Sequence, residues 1–329
     1  LLLSSFDLVE EKRRDMQALV IGAGVSGLST AILLQQAGYD VRIWTAALPA
    51  ATTSSVAAAI WYPYRAYPED RVLGWGARTF TQLAQLADDP ATGVTMREGI
   101  ELWRAPMPDP WWRSAVPLFR RPRPDELPPA YRDGYVFTVP IIEMPIYLRY
   151  VQARFEAGGG RIELRALQSL DEACAASRLV VDCAGLGARD LLDDATVHPI
   201  RGQIVRVRNP GLPRFIMDEE HPDGVTYIVP RSADCILGGT SQDHLWNLTP
   251  DPPTAEAILR RCVELEPLLE GAEILEHKVG LRPGRPVIRL EREQRPDGVT
   301  LIHNYGHGGA GVTLSWGCAA EAVELALSS

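Results

Sequence analysis

Four apolar residues, Ala18-Leu19-Val20-Ile21, run directly into Gly22-Ala23-Gly24-Val25-Ser26-Gly27. Apolar side chains then recur at Leu28, Ala31, Ile32 and Leu34, which is helical spacing, and Gly38 ends the run. Asp40 to Trp44 reads as a second strand. Strand, glycine turn, helix and strand within about 30 residues make a βαβ unit, and this unit constrains the fold more than any other feature of the chain. In a G-x-G-x-x-G turn so placed, the first glycine permits the tight turn and the second lets backbone approach a pyrophosphate. The third lets helix and strand pack closely. The helix N-terminus adds N–H donors and a partial positive charge. The bland alternative is a glycine turn without a ligand; its position inside the first βαβ unit argues for a nucleotide.

The rest of the chain alternates in texture. Ile146 to Phe155 reads as a helix broken at Gly158-Gly159-Gly160, Arg161 to Leu164 as a strand, and Leu179-Val180-Val181-Asp182-Cys183-Ala184 as a buried strand. Residues 105–130 hold eight prolines with Trp111 and Trp112, which predicts ordered loop or edge structure rather than helix. Gln203 to Val207, Thr226 to Val229 and Cys235 to Leu237 read as strands, and Thr254 to Leu269 as an amphipathic helix. Thr300-Leu301-Ile302 reads as a last strand before a glycine cluster and a helix from about Leu314. The expected fold class is therefore α/β: a Rossmann-like nucleotide lobe built from discontinuous segments, plus a mainly antiparallel β lobe.

Which nucleotide is bound depends on two further stretches. An acid reading the ribose hydroxyls belongs just after Ile43-Trp44, where this chain has Thr45-Ala46-Ala47 and no arginine for a 2′-phosphate. Hydroxyls follow at Thr52, Thr53, Ser54 and Ser55, as cofactor contacts or as a solvated turn. Near the other terminus, Gly306-His307-Gly308-Gly309-Ala310-Gly311 precedes Val312-Thr313-Leu314. Such a cluster lets backbone lie flat against a ring system, and the helix start beyond it favours the negative charge that a flavin gains on reduction. That pattern favours a flavin over a nicotinamide.

Composition closes off several classes. Lys plus Arg total 33 against 42 Asp plus Glu, a net charge of −9, the wrong balance for a phosphate-backbone binder. The five cysteines (Cys174, Cys183, Cys235, Cys262, Cys318) are scattered, suggest neither a disulfide framework nor a zinc site, and fit a reducing compartment. No apolar run approaches the ~18 residues that cross a bilayer, so neither a nucleic-acid nor a membrane partner is expected and the cytoplasm is the expected location. Met16 reads as a candidate start, with residues 1–15 as a leader of uncertain origin.

The ordered motifs also carry a family resemblance. Gly22 through Thr30, Val56-Ala57-Ala58 with Trp61 and Pro63-Tyr64, Arg201-Gly202-Gln203-Ile204, Gly280-Leu281-Arg282-Pro283 with Arg285-Pro286, Ile288-Arg289-Leu290-Glu291 and His303 through Gly309 resemble the D-amino-acid oxidases, FAD enzymes that include D-aspartate oxidase. The resemblance runs from about Ala18 to about Ala322. It implies an FAD-binding domain from residues 16–62, 145–200 and 283–329, and a substrate-binding domain from 63–144 and 201–282. It implies non-covalent FAD held by Gly22, Ala23, Gly24, Val25, Ser26 and Gly27, by Thr52, Thr53, Ser54, Ala59, Ile60 and Trp61, and by Leu167, Ala184, Arg282 and Arg289. Gly308, Gly309, Ala310, Gly311, Val312 and Thr313 would line the flavin.

For the substrate, the resemblance implies Arg282 and Tyr227 on the carboxylate, the Gly309 carbonyl on the amine, and Tyr62 and Met217 in the pocket wall. The implied reaction is oxidative deamination of a D-amino acid to a 2-oxo acid and ammonia, by hydride transfer to flavin N5 and reoxidation by dioxygen to hydrogen peroxide. No acid–base residue is required, and His307 reads as a turn residue. Four positions depart from the family pattern. Asp218 to Thr226 lacks a tyrosine and is short, Tyr62 stands where glutamine is common, and Ala46 replaces the ribose acid. Met217 follows Phe215-Ile216 where D-aspartate oxidases carry arginine, which points to neutral D-amino acids. Glycine or sarcosine oxidase, D-aspartate oxidase, an NAD-dependent dehydrogenase and a non-catalytic flavin-binding protein are the competing readings, and a homodimer is left open.

Overall fold

A computed structural model describes residues 16–328; the leader assigned to residues 1–15 lies outside the described residues. Strand β1 (Gln17–Ile21) leads through the glycine turn into helix α1 (Val25–Gln36), which returns to β2 (Asp40–Thr45), parallel to β1. Ala18 and Val20 join one core cluster, whereas Leu19 and Ile21 join the cluster on the opposite face. A strand buried on both faces needs an unbroken apolar run, and this one has it.

After two short 3₁₀ turns the chain forms α2 (Glu69–Leu86), β3 (Val94–Trp103), the edge strand β4 (Phe119–Arg120) and β5 (Asp133–Ile142). The proline-rich stretch between β3 and β5 is loop, two 3₁₀ turns and that two-residue edge, as its sequence predicts. Helix α3 (Met144–Ala157), β6 (Arg161–Leu164), α4 (Leu170–Ala176) and β7 (Leu179–Asp182) follow, with β6 parallel to β2 and β7 parallel to β1. Ser169 caps α4 and Glu172 reaches back, a capping box that sets its start.

Beyond the short helix α5 (Ala188–Leu191) come β8 (His198–Arg208), β9 (Phe215–Asp218), β10 (Thr226–Pro230), β11 (Asp234–Gly238) and β12 (Gln242–Asp243). Helix α6 (Pro252–Leu265), β13 (Ile274–Gly284), β14 (Arg289–Gln294), β15 (Thr300–Tyr305) and α7 (Gly311–Leu327) complete the chain. Two differences from the sequence reading have local causes. Helix α6 stops short of Leu269 because Pro267 disfavours helical backbone at Glu266, which sits at φ −140 and ψ 90. Helix α7 starts at Gly311 rather than Leu314, since the glycine turn winds straight into it.

The strands form two sheets. The first has the order β14-β15-β7-β1-β2-β6 and is parallel apart from the β14–β15 pair. The second runs β12-β8-β11-β10-β9-β3-β5-β4, with β13 also paired to β8, and is antiparallel except where β3 meets β9. Helices α1 and α7 pack on one face of the first sheet and α4 covers the other. Ala255, Ile258 and Cys262 of α6 bury the outer face of the second sheet. Among the described residues no helix is long and apolar enough to cross a membrane.

Candidate active site

A cavity of about 730 Å³ is lined from both sheets, running from the Gly22 turn to the opposite wall at Tyr227 and Arg282. Its first end lies outside the carboxyl ends of parallel strands, where open α/β sheets receive ligands. Gly22 holds φ +99, and a Cβ there would lie 2.5 Å from the Cys183 carbonyl oxygen. A Cβ on Gly27 would overlap the Gly22 carbonyl oxygen, so helix α1 sits on the turn with no room for a side chain. The Ala23 N–H donates to Thr45 Oγ1 at 3.2 Å and the Val25 N–H to Ser54 Oγ at 3.0 Å, which ties the hydroxyl segment to the glycine turn.

Ala46 and Ala47 line this end, so the missing ribose acid leaves an apolar wall. Arg165 and Gln168, which sequence reasoning missed, face them together with Leu167. Thr45 pairs with Leu164, so the loop after β6 emerges beside the end of β2, 119 residues away along the chain. The Arg165 guanidinium stacks 3.9 Å from the centre of the Trp44 ring. Only the β2–β6 pairing reveals this wall.

At the other end, Arg282 on β13 lays its guanidinium over Gly202 on β8, where a Cβ would be 2.5 Å from Cζ, Nη1 and Nη2. Its Nη1 donates to the Thr240 carbonyl at 3.0 Å. Tyr227 packs on Gly238 across the β10–β11 pair. Burial pushes its phenol upward, and the Arg282 charge draws it part of the way back. The Tyr62 backbone N–H donates to Thr313 Oγ1 at 3.1 Å, and its phenol donates to Glu101 Oε1 at 2.8 Å. Tyr64 packs against Gly309. Burial of the His307 imidazole, 3.0 Å from Asn304 Oδ1, pushes it down to about 4, so it is neutral at pH 7.

Most of the expected contacts line this one cavity: Gly22 to Ser26, Thr52 to Ser54, Ala59, Ile60, Tyr62, Leu167, Ala184, Met217, Tyr227, Arg282, Gly308, Gly309 and Gly311 to Thr313. Four do not line it. Gly27 acts in packing, and Ala310 is fully buried behind the turn. Trp61 turns into the core, where its indole N–H donates to the Gly76 carbonyl at 2.9 Å. Arg289 faces Tyr305 Oη at 2.9 Å and Glu291 Oε1 at 2.7 Å, because its neighbour Leu290 takes the buried side of β14. Besides Arg165 and Gln168, the cavity gains Tyr64, which the Pro63-Tyr64 motif contained without an assigned role, and Thr240 and Glu219, which lie in no motif.

The lining fits FAD. Helices α1 and α7 both direct N-termini at the cavity, and neither has a capping side chain at its own N-cap or an acid in its first turn; of the first N–H groups of α1, that of Val25 is taken by Ser54 Oγ. A Cβ at Gly24 would close on Ser54 Oγ at 3.2 Å, so the glycine keeps backbone open to a phosphate.

A family model described as FAD dependent oxidoreductase matches residues 17–325. The D-amino-acid oxidase of Rubrobacter xylanophilus is 59% identical over 311 residues, covering 94% of this chain and 95% of that one. The D-amino-acid oxidase of Streptomyces coelicolor is 42% identical over 320 residues, covering 96% and 98%. Among solved structures, glycine oxidase from Geobacillus kaustophilus superposes with a TM-score of 0.79 over 94% of this chain and 95% of its own. At 18% identity that likeness concerns the fold alone. With a match spanning the chain and relatives this similar, the chain belongs to the D-amino-acid oxidase family of FAD-dependent oxidoreductases.

Proposed function

We propose that the chain catalyses oxidative deamination of D-amino acids to 2-oxo acids, ammonia and hydrogen peroxide. The observation that carries this reading is the convergence of Arg282, Tyr227 and the Gly308–Thr313 turn on one end of one cavity. Arg282 binds the substrate carboxylate, its planar fork preset by Gly202 and Thr240. Tyr227 donates its phenol hydrogen to the same carboxylate, and burial keeps that proton in place. The Gly309 carbonyl accepts from the substrate amine. The Gly22–Ser26 turn and Ser54 hold the cofactor pyrophosphate, and Val312 and Thr313 border the flavin. Bound FAD supplies the two-electron acceptor that dioxygen regenerates. The remaining work of the chain is binding, orientation and exclusion of bulk water. Water then converts the released imino acid to 2-oxo acid and ammonia.

The discontinuous FAD domain (16–62, 145–200, 283–329) and substrate domain (63–144, 201–282) follow the segments that feed the two sheets. Buried Met217 at the pocket wall supports neutral over acidic side chains. Five buried free thiols support a reducing compartment, the cytoplasm. The test is an anaerobic visible spectrum of the purified protein before and after D-alanine, L-alanine and glycine. Flavin bands bleached by D-alanine alone are expected. Bleaching mainly by glycine would move the reading to glycine oxidase, and no flavin bands after added FAD would overturn it.

A further inference from the structure

Helix α6 carries a cation where an apolar side chain is expected. Its core-facing stripe holds Ala255, Ile258 and Cys262, and Arg261 lies on that stripe, 4% exposed, while its neighbour Arg260 is exposed. Every acceptor of Arg261 is neutral. Its Nε donates to Thr226 Oγ1 at 3.0 Å and its Nη1 to the Asp223 carbonyl at 3.0 Å. Its Nη2 donates to the Val225 and Gly239 carbonyls at 3.3 and 3.2 Å. Burial draws the guanidinium down from its ordinary value. A charge buried without a carboxylate partner is a costly source of stability, so what it holds in place matters more.

What it holds is the back of the substrate end. Val225 immediately precedes β10 and Gly239 immediately follows β11, so the two stand side by side where that antiparallel pair ends. The Gly239 N–H donates to the Val225 carbonyl at 2.9 Å, and Arg261 Nη2 spans the same junction from behind. Tyr227 lies on its front. A Cβ on Gly239 would stand 2.8 Å from the Tyr227 Oη, and one on Gly238 would overlap the ring. The next residue, Thr240, presents the carbonyl that receives Arg282 Nη1 at 3.0 Å. Val225, Tyr227, Thr240 and Arg282 all line the cavity. The other end of the β9–β10 loop is tied separately, by Arg104 to Asp218 at 2.8 and 3.0 Å and to the Glu220 carbonyl at 3.2 Å.

We propose that Arg261 is a positioning residue for substrate binding. Through the Val225–Gly239 junction it sets the spacing between the Tyr227 hydroxyl and the Arg282 guanidinium, the two groups that meet the substrate carboxylate. The proposal rests on the deamination reading above and adds to it a residue behind the cavity wall. A guanidinium suits the task because its planar, rigid fork reaches all four oxygens at once. Lysine offers the same charge from one point, and glutamine offers a single amide.

The test is equilibrium dialysis of propanoate, which is D-alanine without its amine, against the flavin-loaded wild type, Arg261→Gln and Arg261→Lys. Steady-state kinetics with D-alanine, flavin content and a thermal melt accompany it. Arg261→Gln is expected to bind propanoate at least about tenfold more weakly and to raise KM similarly, with kcat and flavin content nearly unchanged. Arg261→Lys is expected to fall between that variant and the wild type. A merely stabilising role would lower the melting temperature and leave propanoate affinity and KM alone. Unchanged propanoate affinity in a folded Arg261→Gln overturns the proposal, as does a fall in flavin content as large as the fall in kcat/KM. If Arg261→Gln does not fold, Thr226→Val decides. It removes the hydroxyl that Nε engages and is expected to weaken propanoate binding about threefold, no change overturning the proposal. A wild type that neither binds propanoate nor oxidises D-alanine overturns the deamination reading and this proposal with it. A wild type that binds propanoate without oxidising D-alanine overturns that reading alone, and the variants still judge Arg261.

Discussion

The Arg282 guanidinium has its place only because residue 202 has no side chain. Removing the partner and removing the space are therefore two tests of one geometry. Arg282→Ala is expected to lower kcat/KM for D-alanine by roughly a hundredfold or more, the scale of a lost charged hydrogen bond of about 1.5–3 kcal/mol plus an unpaired carboxylate. Gly202→Ala pushes a Cβ to 2.5 Å from that guanidinium and is expected to raise KM more than it lowers kcat, with flavin content unchanged. Steady-state kinetics on both variants checks this. Glu101 gives a residue-scale pH dependence. Its folded pKa of about 8 lies above the unfolded value near 4.5, so the native state binds the extra proton between them. Its contribution to stability is present in full below about 4.5 and is lost as the pH rises through about 8. Glu101→Gln keeps the Tyr62 acceptor without the ionisation, and is expected to flatten the melting temperature against pH and raise it by several degrees at pH 9. At this scale the placement of Arg282 and Tyr227 on the cavity wall was legible through motif resemblance. Glu219 and Arg165 were not, because nothing in the spacing of their neighbours distinguishes a cavity wall from a solvated loop.

Among elements, the β1–α1 unit is the most strongly specified. Gly27 lies against the Gly22 carbonyl, a backbone atom that cannot rotate out of the way. Gly27→Ala is expected to separate helix from strand, giving a protein with little bound flavin and a melting temperature lower by about 2 °C or more, the scale of 1–2 kcal/mol in a chain this long. Flavin absorbance per protein and a thermal melt check both. The loop between β9 and β10 shows the opposite case. Its composition and length mark it as short and without tyrosine, but not how it is held. The buried Arg261 of α6 bonds Thr226 Oγ1 at 3.0 Å and the Asp223 and Val225 carbonyls at 3.0 and 3.3 Å. Those partners lie at least 35 residues from Arg261 in the chain. The helix end at Leu265 was misplaced for a local reason, since apolar spacing continues past Pro267 although helical backbone does not.

At the scale of the molecule, the cavity is a seam between two sheets, and contacts such as Thr53 Oγ1 to the Leu281 carbonyl at 3.1 Å cross it. A ligand filling the seam stabilises only the folded arrangement of both sides. Removing FAD is therefore expected to lower stability by about 3 kcal/mol at a hundredfold excess over its dissociation constant, read as a melting temperature several degrees lower in the apoprotein and restored by added FAD. The sequence by itself determined the βαβ start, the alternation of α/β and β-rich segments, the glycine turn at each end of the chain and the family. These are written in local periodicity and in residue types whose backbone needs are local. Tertiary structure alone decided that Arg165 lines the same end of the cavity as Ala46 and Ala47, that Trp61 and Arg289 turn away from the cavity, and that Tyr62 and Glu219 line it with Glu101 buried behind Tyr62. Each of these depends on which strand lies beside which. Pairings between residues more than a hundred positions apart leave no periodic trace in the chain that makes them.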